Sequence, residues 1–416
     1  MKSHFDVVGS GEGISGLVAC ALLAHKGFSC LWADTGNDAG LDRARNGIPL
    51  LVSREFWDQG IRPLLSSMDT TLPGALQPRA LEKVQAVVPG RRFDVGPAPA
   101  DRYLPAHRRN AEQYLRLLEK SMTKPGVLLR ASSRTVPEVE PWQKDQITAL
   151  CRTGKPNYLS YLRWSALLSG LYSLDFTAAK HVLGAYLSHT RGHYLHAEKA
   201  DITVENNTAV GLSLGNIRIR SRYCMSDETP VKPGQKGGFI FYGTCVVDEH
   251  VIPVGMGDMV IASPPEDMRF PLMLLLERRD GKGMVSVTAK IPVGGMLTSH
   301  TELLSWASGM IYKRLKQVMP FLEHHLISFD VVDPFIENST RPWFRYADEM
   351  RVPWYVSGKR YMKNGNRMFI CSGMKYGWLD MEGEILWGIC MANAILKDLN
   401  RSDLIAAKMM VQASRV

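Results

Sequence analysis

The sequence predicts an α/β fold, α+β overall, in which a Rossmann-type dinucleotide-binding domain is joined to a discontinuous second domain of antiparallel sheet plus helices. Three observations carry this. Gly11-Glu12-Gly13-Ile14-Ser15-Gly16 follows a β-branched run and opens an apolar stretch of helical length. Between Gly237 and Lys290 the pattern changes to short strand-like segments. The 416 residues, at roughly 150 per domain, call for two or three folding units.

In chain order, Phe5 to Val8 reads as a strand, Leu17 to His25 as a helix, and Phe28 to Ala33 as a strand ending at Asp34. From Asn37 to about Glu140 proline and glycine punctuate the chain around one helix, Asn110 to Met122. Apolar residues at three- and four-residue spacing predict helices over Tyr158 to Tyr172 and Thr177 to His189. Ala200 to Val204 and Thr208 to Leu214 read as strands joined at Asn206-Asn207, a pair that tolerates the positive φ of a hairpin turn. Ile217 and Ile219 alternate with Arg218 and Arg220, as on a half-exposed strand. Strands are expected at Phe239 to Val247, Val251 to Val254, Leu272 to Leu276 and Met284 to Ala289. Thr301 to Met319 carries an apolar stripe (Leu304, Ala307, Ile311, Leu315, Val318) and stops at Pro320. A strand at Arg367 to Cys371, a helix at Ile385 to Leu396 and a last helix at Leu404 to Gln412 close the chain.

Composition narrows the functional classes. With 45% hydrophobic and 22% charged residues the chain is neither disordered nor fibrous. A formal charge of +9 is a mild excess rather than a nucleic-acid signature, and anionic ligands or membrane surfaces suit it better. Seven cysteines, odd in number and never spaced as C-x-x-C, predict reduced thiols and a cytoplasmic location. The N-terminus lacks the layout of a secretion signal. The richest apolar stretch, Tyr158 to Phe176, is interrupted by Arg163 and serines, so no span is expected, while peripheral membrane contact stays open. An aromatic and basic group between Arg341 and Tyr361 would suit either a domain interface or a membrane rim. His324-His325 lacks the spacing of an H-E-x-x-H motif, and no metal is expected.

The glycine-rich segment carries the chemistry. Gly11 permits the tight turn, Gly13 lets the backbone approach a pyrophosphate, and Gly16 lets the helix pack on the strand. Ile14 and Ser15 open the helix, whose free N–H groups and partial positive charge favour phosphate. Asp34, at the end of the second strand, is placed to accept from a ribose hydroxyl and disfavours a 2′-phosphate.

These residues, with Asp6-Val7-Val8 before the turn and Gly16-Leu17 after it, resemble the FAD fingerprint of the phytoene desaturase and amine oxidase superfamily of flavoproteins. Ile202 to Leu214, Met284 to Pro292, the helix leading to Pro320, and Phe369 to Gly373 with Glu382-Gly383 and Gly388 are similar to later segments in the same order. The resemblance implies FAD as cofactor and a chain divided into FAD-binding parts at 1–60, 191–230 and 356–416. Between them it implies substrate-domain parts at 61–190, helical, and 231–355, antiparallel sheet and helix. It places Gly11, Gly13, Ile14, Ser15, Gly16, Asp34, Arg43, Gly373, Glu382, Gly383 and Glu384 at the cofactor. The last three are expected to present backbone N–H groups to the flavin, their acidic side chains also suiting a helix N-terminus.

Three departures from the superfamily pattern matter. Asp34 stands where Glu is usual, Gly40 and Arg43 stand without a glycine doublet, and Met374 replaces the Asp of the closing Gly-Asp turn. The function implied is FAD-dependent hydride transfer from a small lipophilic C–H or C–N substrate, with no catalytic residue legible and the oligomeric state open. The alternative is a non-redox binding protein on the same fold, as in Rab GDP dissociation inhibitors, with FAD binding weakened or lost. An NAD-linked dehydrogenase fits less well, because the chain leaves the first domain early and returns late.

Overall fold

A computed structural model describes residues 3–36, 50–88, 91–95, 105–124, 158–167, 170–206, 208–226, 237–262, 272–292, 299–332, 345–347, 368–370 and 381–405, with isolated positions between them. The chain begins with β1 (His4–Gly11), α1 (Ile14–His25), β2 (Cys30–Asp34) and β3 (Leu50–Ser53). A helical stretch follows: α2 (Arg54–Phe56), a π turn (Trp57–Ile61), α3 (Arg62–Met68) and α4 (Leu72–Ala75). Next come β4 (Arg79–Leu81), β5 (Val84–Val88), β6 (Arg91–Asp94), α5 (Pro105–Thr123), α6 (Tyr158–Leu167), β7 (Leu171–Leu174) and α7 (Phe176–His189). Strands β8 (Gly192–His196), β9 (Asp201–Glu205), β10 (Thr208–Leu214), β11 (Ile217–Ser226), β12 (Gly237–Asp248), β13 (Met259–Ala262), β14 (Leu272–Arg279) and β15 (Lys282–Pro292) succeed one another. The chain then runs α8 (His300–Val318), α9 (Leu322–His325), β16 (Leu326–Val331), β17 (Arg345–Ala347), β18 (Met368–Ile370) and α10 (Met381–Asp398).

The first sheet has the order β8-β2-β1-β11-β10-β9, with β18 also on β11. Strands β8, β2, β1, β11 and β18 run parallel, and β10 and β9 extend the sheet antiparallel. Strand β11 is long enough for two tasks: residues 217–220 close a hairpin with β10, and 220–226 pair with β1. Helix α1 is buried along nearly its whole length, apolar all round, because it lies inside the molecule rather than on its surface. One core surrounds it, drawing on Leu17, Trp32, Leu183, Leu386 and Ile389.

A second, eight-stranded sheet has the order β16-β12-β15-β14-β13-β5-β6, with β17 on β12. Helix α8 covers it with Ala307, Ile311, Leu315 and Val318. Strands β3, β7 and β4 make a small third sheet.

Several expectations change. The helix predicted over Tyr158 to Tyr172 gives way at Leu167, and Leu171 and Tyr172 lie in β7; Gly170, at φ 146, turns the chain where a side-chain-bearing residue would be strained. Val251 to Val254 is not a strand, since Glu249–Val251 form a 3₁₀ turn and the chain bends after it. Arg314 of α8, which is not part of the apolar stripe, is nonetheless buried. Leu404 and Ile405 are not helical, and the rest of the last expected helix lies outside the described residues. The hairpin at Asn206 forms as expected, with Asn206 at φ 48. Five described cysteines are free and buried, and burial pushes the thiols of Cys224 and Cys245 up to about 11 and 12. Among the described residues no helix is long and apolar enough to cross a membrane.

Candidate functional site

The glycine segment forms the turn between β1 and α1. Gly11 ends the strand at φ 145, a conformation that favours glycine, and pairs in register with Asp34 of β2. Gly13 caps α1 with extended backbone and no side-chain hydrogen bond. Gly16 is required by packing: a Cβ there would sit 2.0 Å from the indole of Trp32, which fills the space between helix and sheet. Gly388 plays the matching part on α10, where a Cβ would meet the Ser15 carbonyl oxygen at 2.5 Å. The first turn of α1 and the second turn of α10 are therefore in close contact, and the turn residues Gly11, Gly13, Ile14, Ser15 and Gly16 are buried.

What faces the N-terminus of α1 is a carboxylate. The Ser15 N–H donates to Glu384 Oε2 at 3.3 Å, and the Ser15 hydroxyl makes a short hydrogen bond to the same oxygen. Glu384 is 7% exposed, and burial pushes its carboxyl up to about 7, against the opposing pull of the Ser15 hydrogen bonds. No cation is paired with it among the described residues. Its oxygen sits where a helix N-terminus would receive a phosphate oxygen.

Glu382, one residue before Gly383 on the same turn, also points inward. Its carboxylate accepts from the Ser53 N–H at the end of β3 and from the Tyr114 hydroxyl of α5, at 2.5 Å for the latter. Burial raises its carboxyl, opposed first by the charge of Arg163 and then by these hydrogen bonds. Glu382 thus locks α10 to β3 and α5.

Asp34 is equally engaged. Lys180 Nζ of α7 lies 2.5 Å from its Oδ2, the Tyr194 hydroxyl of β8 donates to the same oxygen at 2.5 Å, and the Gly36 N–H donates to Oδ1 at 3.0 Å. The carboxylate is 1% exposed and Lys180 6%. A carboxylate left unpaired in such a place would be costly, and the lysine and tyrosine supply what solvent does not.

The structure therefore brings Ser15 and Glu384 together and sets Glu382 beside β3, while Asp34 closes on α7 and β8. Arg43 and Gly373 lie outside the described residues, as do Gly40, Met374 and nearly all of the aromatic group between Arg341 and Tyr361. The acidic side chains of α10, whose backbone N–H groups were the expected feature, are themselves acceptors, Glu384 from Ser15 and Glu382 from Ser53 and Tyr114. Lys180, Tyr194, Tyr114 and Ser53 were not anticipated. A lysine among apolar residues, Ala178-Ala179-Lys180 before Leu183, is the one local signal that an internal partner awaited it.

No protein-family model and no curated protein matches the chain. Solved structures are similar over almost its whole length. A putrescine oxidase redesigned in cofactor binding is 14% identical with a TM-score of 0.59, covering 95% of this chain and 99% of that one. Cyclohexylamine oxidase from Brevibacterium oxydans IH-35A is 14% identical with a TM-score of 0.52, covering 95% and 100%. An oxidoreductase from Methanosarcina mazei is 10% identical with a TM-score of 0.54, covering 93% and 99%. The likeness is one of fold: the chain shares the mixed α/β architecture of these oxidases and of this oxidoreductase.

Against that fold the fit of FAD divides in two. The turn has the glycine at positive φ and the close helix–strand packing that a dinucleotide-binding turn uses. The side chains around it do not leave it free: the N–H of Ser15 is held by Glu384, and the Asp34 carboxylate by Lys180 and Tyr194.

Proposed function

We propose that this chain uses the flavoprotein fold as a non-redox binding protein, with FAD binding weakened or lost. The observation that carries the reading is the Glu384 carboxylate seated on Ser15 at the N-terminus of α1. A diphosphate would have to displace a buried carboxyl group from the Ser15 N–H, and wherever that group is ionised, above about pH 7, it would also repel the phosphate, by about 4 kcal/mol for two unit charges at 4 Å and an effective dielectric of 20. The Asp34 contacts add a second obstacle on the ribose side. The apolar pocket between α1, α3, α7 and α10, lined by Val18, Leu65, Leu183 and Ile385 among others, has a volume of about 30 Å³. That is far below the roughly 300–1,000 Å³ of small-molecule sites, so it is a packing void rather than a substrate chamber.

A second reading, favoured by the glycine turn and by the fold, is an FAD-dependent oxidoreductase of the amine oxidase superfamily. It would take a hydride from a small lipophilic substrate, phytoene desaturase-like in the finer form of the reading. One experiment separates the two. Full-length protein purified without added cofactor is expected to be colourless, to release no flavin on denaturation, and to give no saturable quenching of FAD fluorescence at micromolar concentrations. Yellow protein holding about one FAD per chain would overturn the first reading in favour of the second.

A further inference from the structure

We propose that Asp248, His250 and His325 form a zinc-class metal site on the edge of the second sheet, remote in the chain from the glycine turn. Asp248 ends β12, His250 lies in the 3₁₀ turn that follows (Glu249–Val251), and His325 ends α9, just before β16. The pairing of β12 with β16, Val247 opposite Leu326, brings the two stretches side by side. His250 Nε2 lies 3.1 Å from His325 Nδ1, which in turn lies 3.3 Å from Asp248 Oδ2. All three atoms fall within 4.8 Å of one another.

These separations match a coordination polyhedron. Zinc–nitrogen bonds of about 2.0–2.1 Å at a tetrahedral angle set ligand atoms roughly 3.3–3.4 Å apart. Two of the three edges are already close to that. The rings meet edge-on, centroids 4.4 Å apart and planes at 85°, instead of stacking, and a nitrogen of each ring takes part in the cluster.

The proton count points the same way. His325 Nδ1 faces an acceptor-only carboxylate and a second imidazole nitrogen at once. If Nδ1 carries a proton, it must be shared between Asp248 and His250. If it does not, its lone pair faces that of the carboxylate. A divalent cation satisfies all three lone pairs together, and His250 is exposed, leaving room for water as a fourth ligand. Two imidazoles and one carboxylate select zinc, or copper and nickel, over magnesium or calcium.

The site would clamp the β12 turn to the α9–β16 junction. Asp248 and His250 are two residues apart and His325 is distant in sequence, so Asp-x-His alone gives no recognisable metal motif.

The test uses the full-length, tag-free chain. Titration with Zn²⁺, followed by calorimetry, is expected to show one ion per chain, and Co²⁺ to give the visible d–d bands of a tetrahedral site. His250→Ala and His325→Ala are each expected to weaken binding at least about tenfold. His324→Ala, which alters a neighbouring histidine outside the cluster, is expected to bind as the unmodified chain does. Saturating Zn²⁺ should also raise the thermal midpoint of the unmodified chain but not of His250→Ala. Equal binding by the unmodified chain and both variants, or an octahedral Co²⁺ spectrum unaffected by them, would overturn the proposal.

Discussion

On the proposed reading, Glu384 is the residue that most directly opposes a dinucleotide, because it occupies the Ser15 N–H. A carboxylate oxygen and a phosphate oxygen ask the same thing of a helix N-terminus, a free N–H in a field that favours negative charge. With Glu384 on Ser15, that demand is met from within the chain. Truncating the side chain should return the N–H to the solvent side of the turn and remove a buried acid from the path of the phosphates. Glu384→Ala is therefore expected to raise FAD affinity by at least about tenfold, which is 1.4 kcal/mol and lies within the range of one hydrogen bond to a charged group. The measurement is quenching of flavin fluorescence, comparing the variant with the unmodified chain at one pH. An affinity that does not change would mean that Asp34, held by Lys180 and Tyr194, or residues elsewhere, set the limit instead.

At the scale of elements, the contact between α1 and α10 is what allows a side chain of one helix to reach the first turn of the other. Gly388 makes the approach possible, for a Cβ there would lie 2.5 Å from the Ser15 carbonyl oxygen and 2.7 Å from Val18 Cβ. Gly388→Ala should push the helices apart and cost about 1–3 kcal/mol of stability, measured by denaturant unfolding; a neutral substitution would show that the crossing is looser than its geometry. The long helices were legible in the sequence: α5 and α8 need only their own residues to declare a buried side, and α1 and α10 declare themselves by apolar runs of helical length. The short strands β3 to β6 and β13 were not. Each has five residues or fewer, and β5 pairs in parallel with β13, so nothing local announces the partner. The candidate site divides in the same way. Gly11 to Gly16 and Asp34 follow from a local motif, whereas the groups that occupy them come from afar: Glu384 is 369 positions from Ser15 and Tyr194 is 160 from Asp34. Only the folded sheet order sets them face to face.

For the molecule as a whole, two carboxyl groups buried in α10 make stability depend on pH in an unusual direction. Most paired carboxylates favour the folded state once ionised, and stability falls with acid. Here burial raises the carboxyls of both Glu382 and Glu384, the latter from 4.5 to about 7. Below about pH 4.5 Glu384 is protonated in both the folded and unfolded chains and contributes no difference. Between there and about 7 the unfolded chain releases the proton while the folded one keeps it, so the unfolded state gains and stability falls as pH rises. Above 7 the loss is complete, on the order of 3 kcal/mol for this residue at 1.36 kcal/mol per unit. Glu384→Gln, which cannot ionise, removes this dependence. Its unfolding free energy relative to the unmodified chain is expected to be close to equal at pH 4.5 and to exceed it by a few kcal/mol at pH 8, most of the change falling between pH 5 and 7. Paired denaturant titrations at a series of pH values make the measurement, and the difference between the two curves cancels every other titrating group that the substitution leaves alone. A difference that stays flat across that window would mean that Glu384 carries its charge into the folded state without penalty, and that a cation or water near the first turn of α10 meets it there.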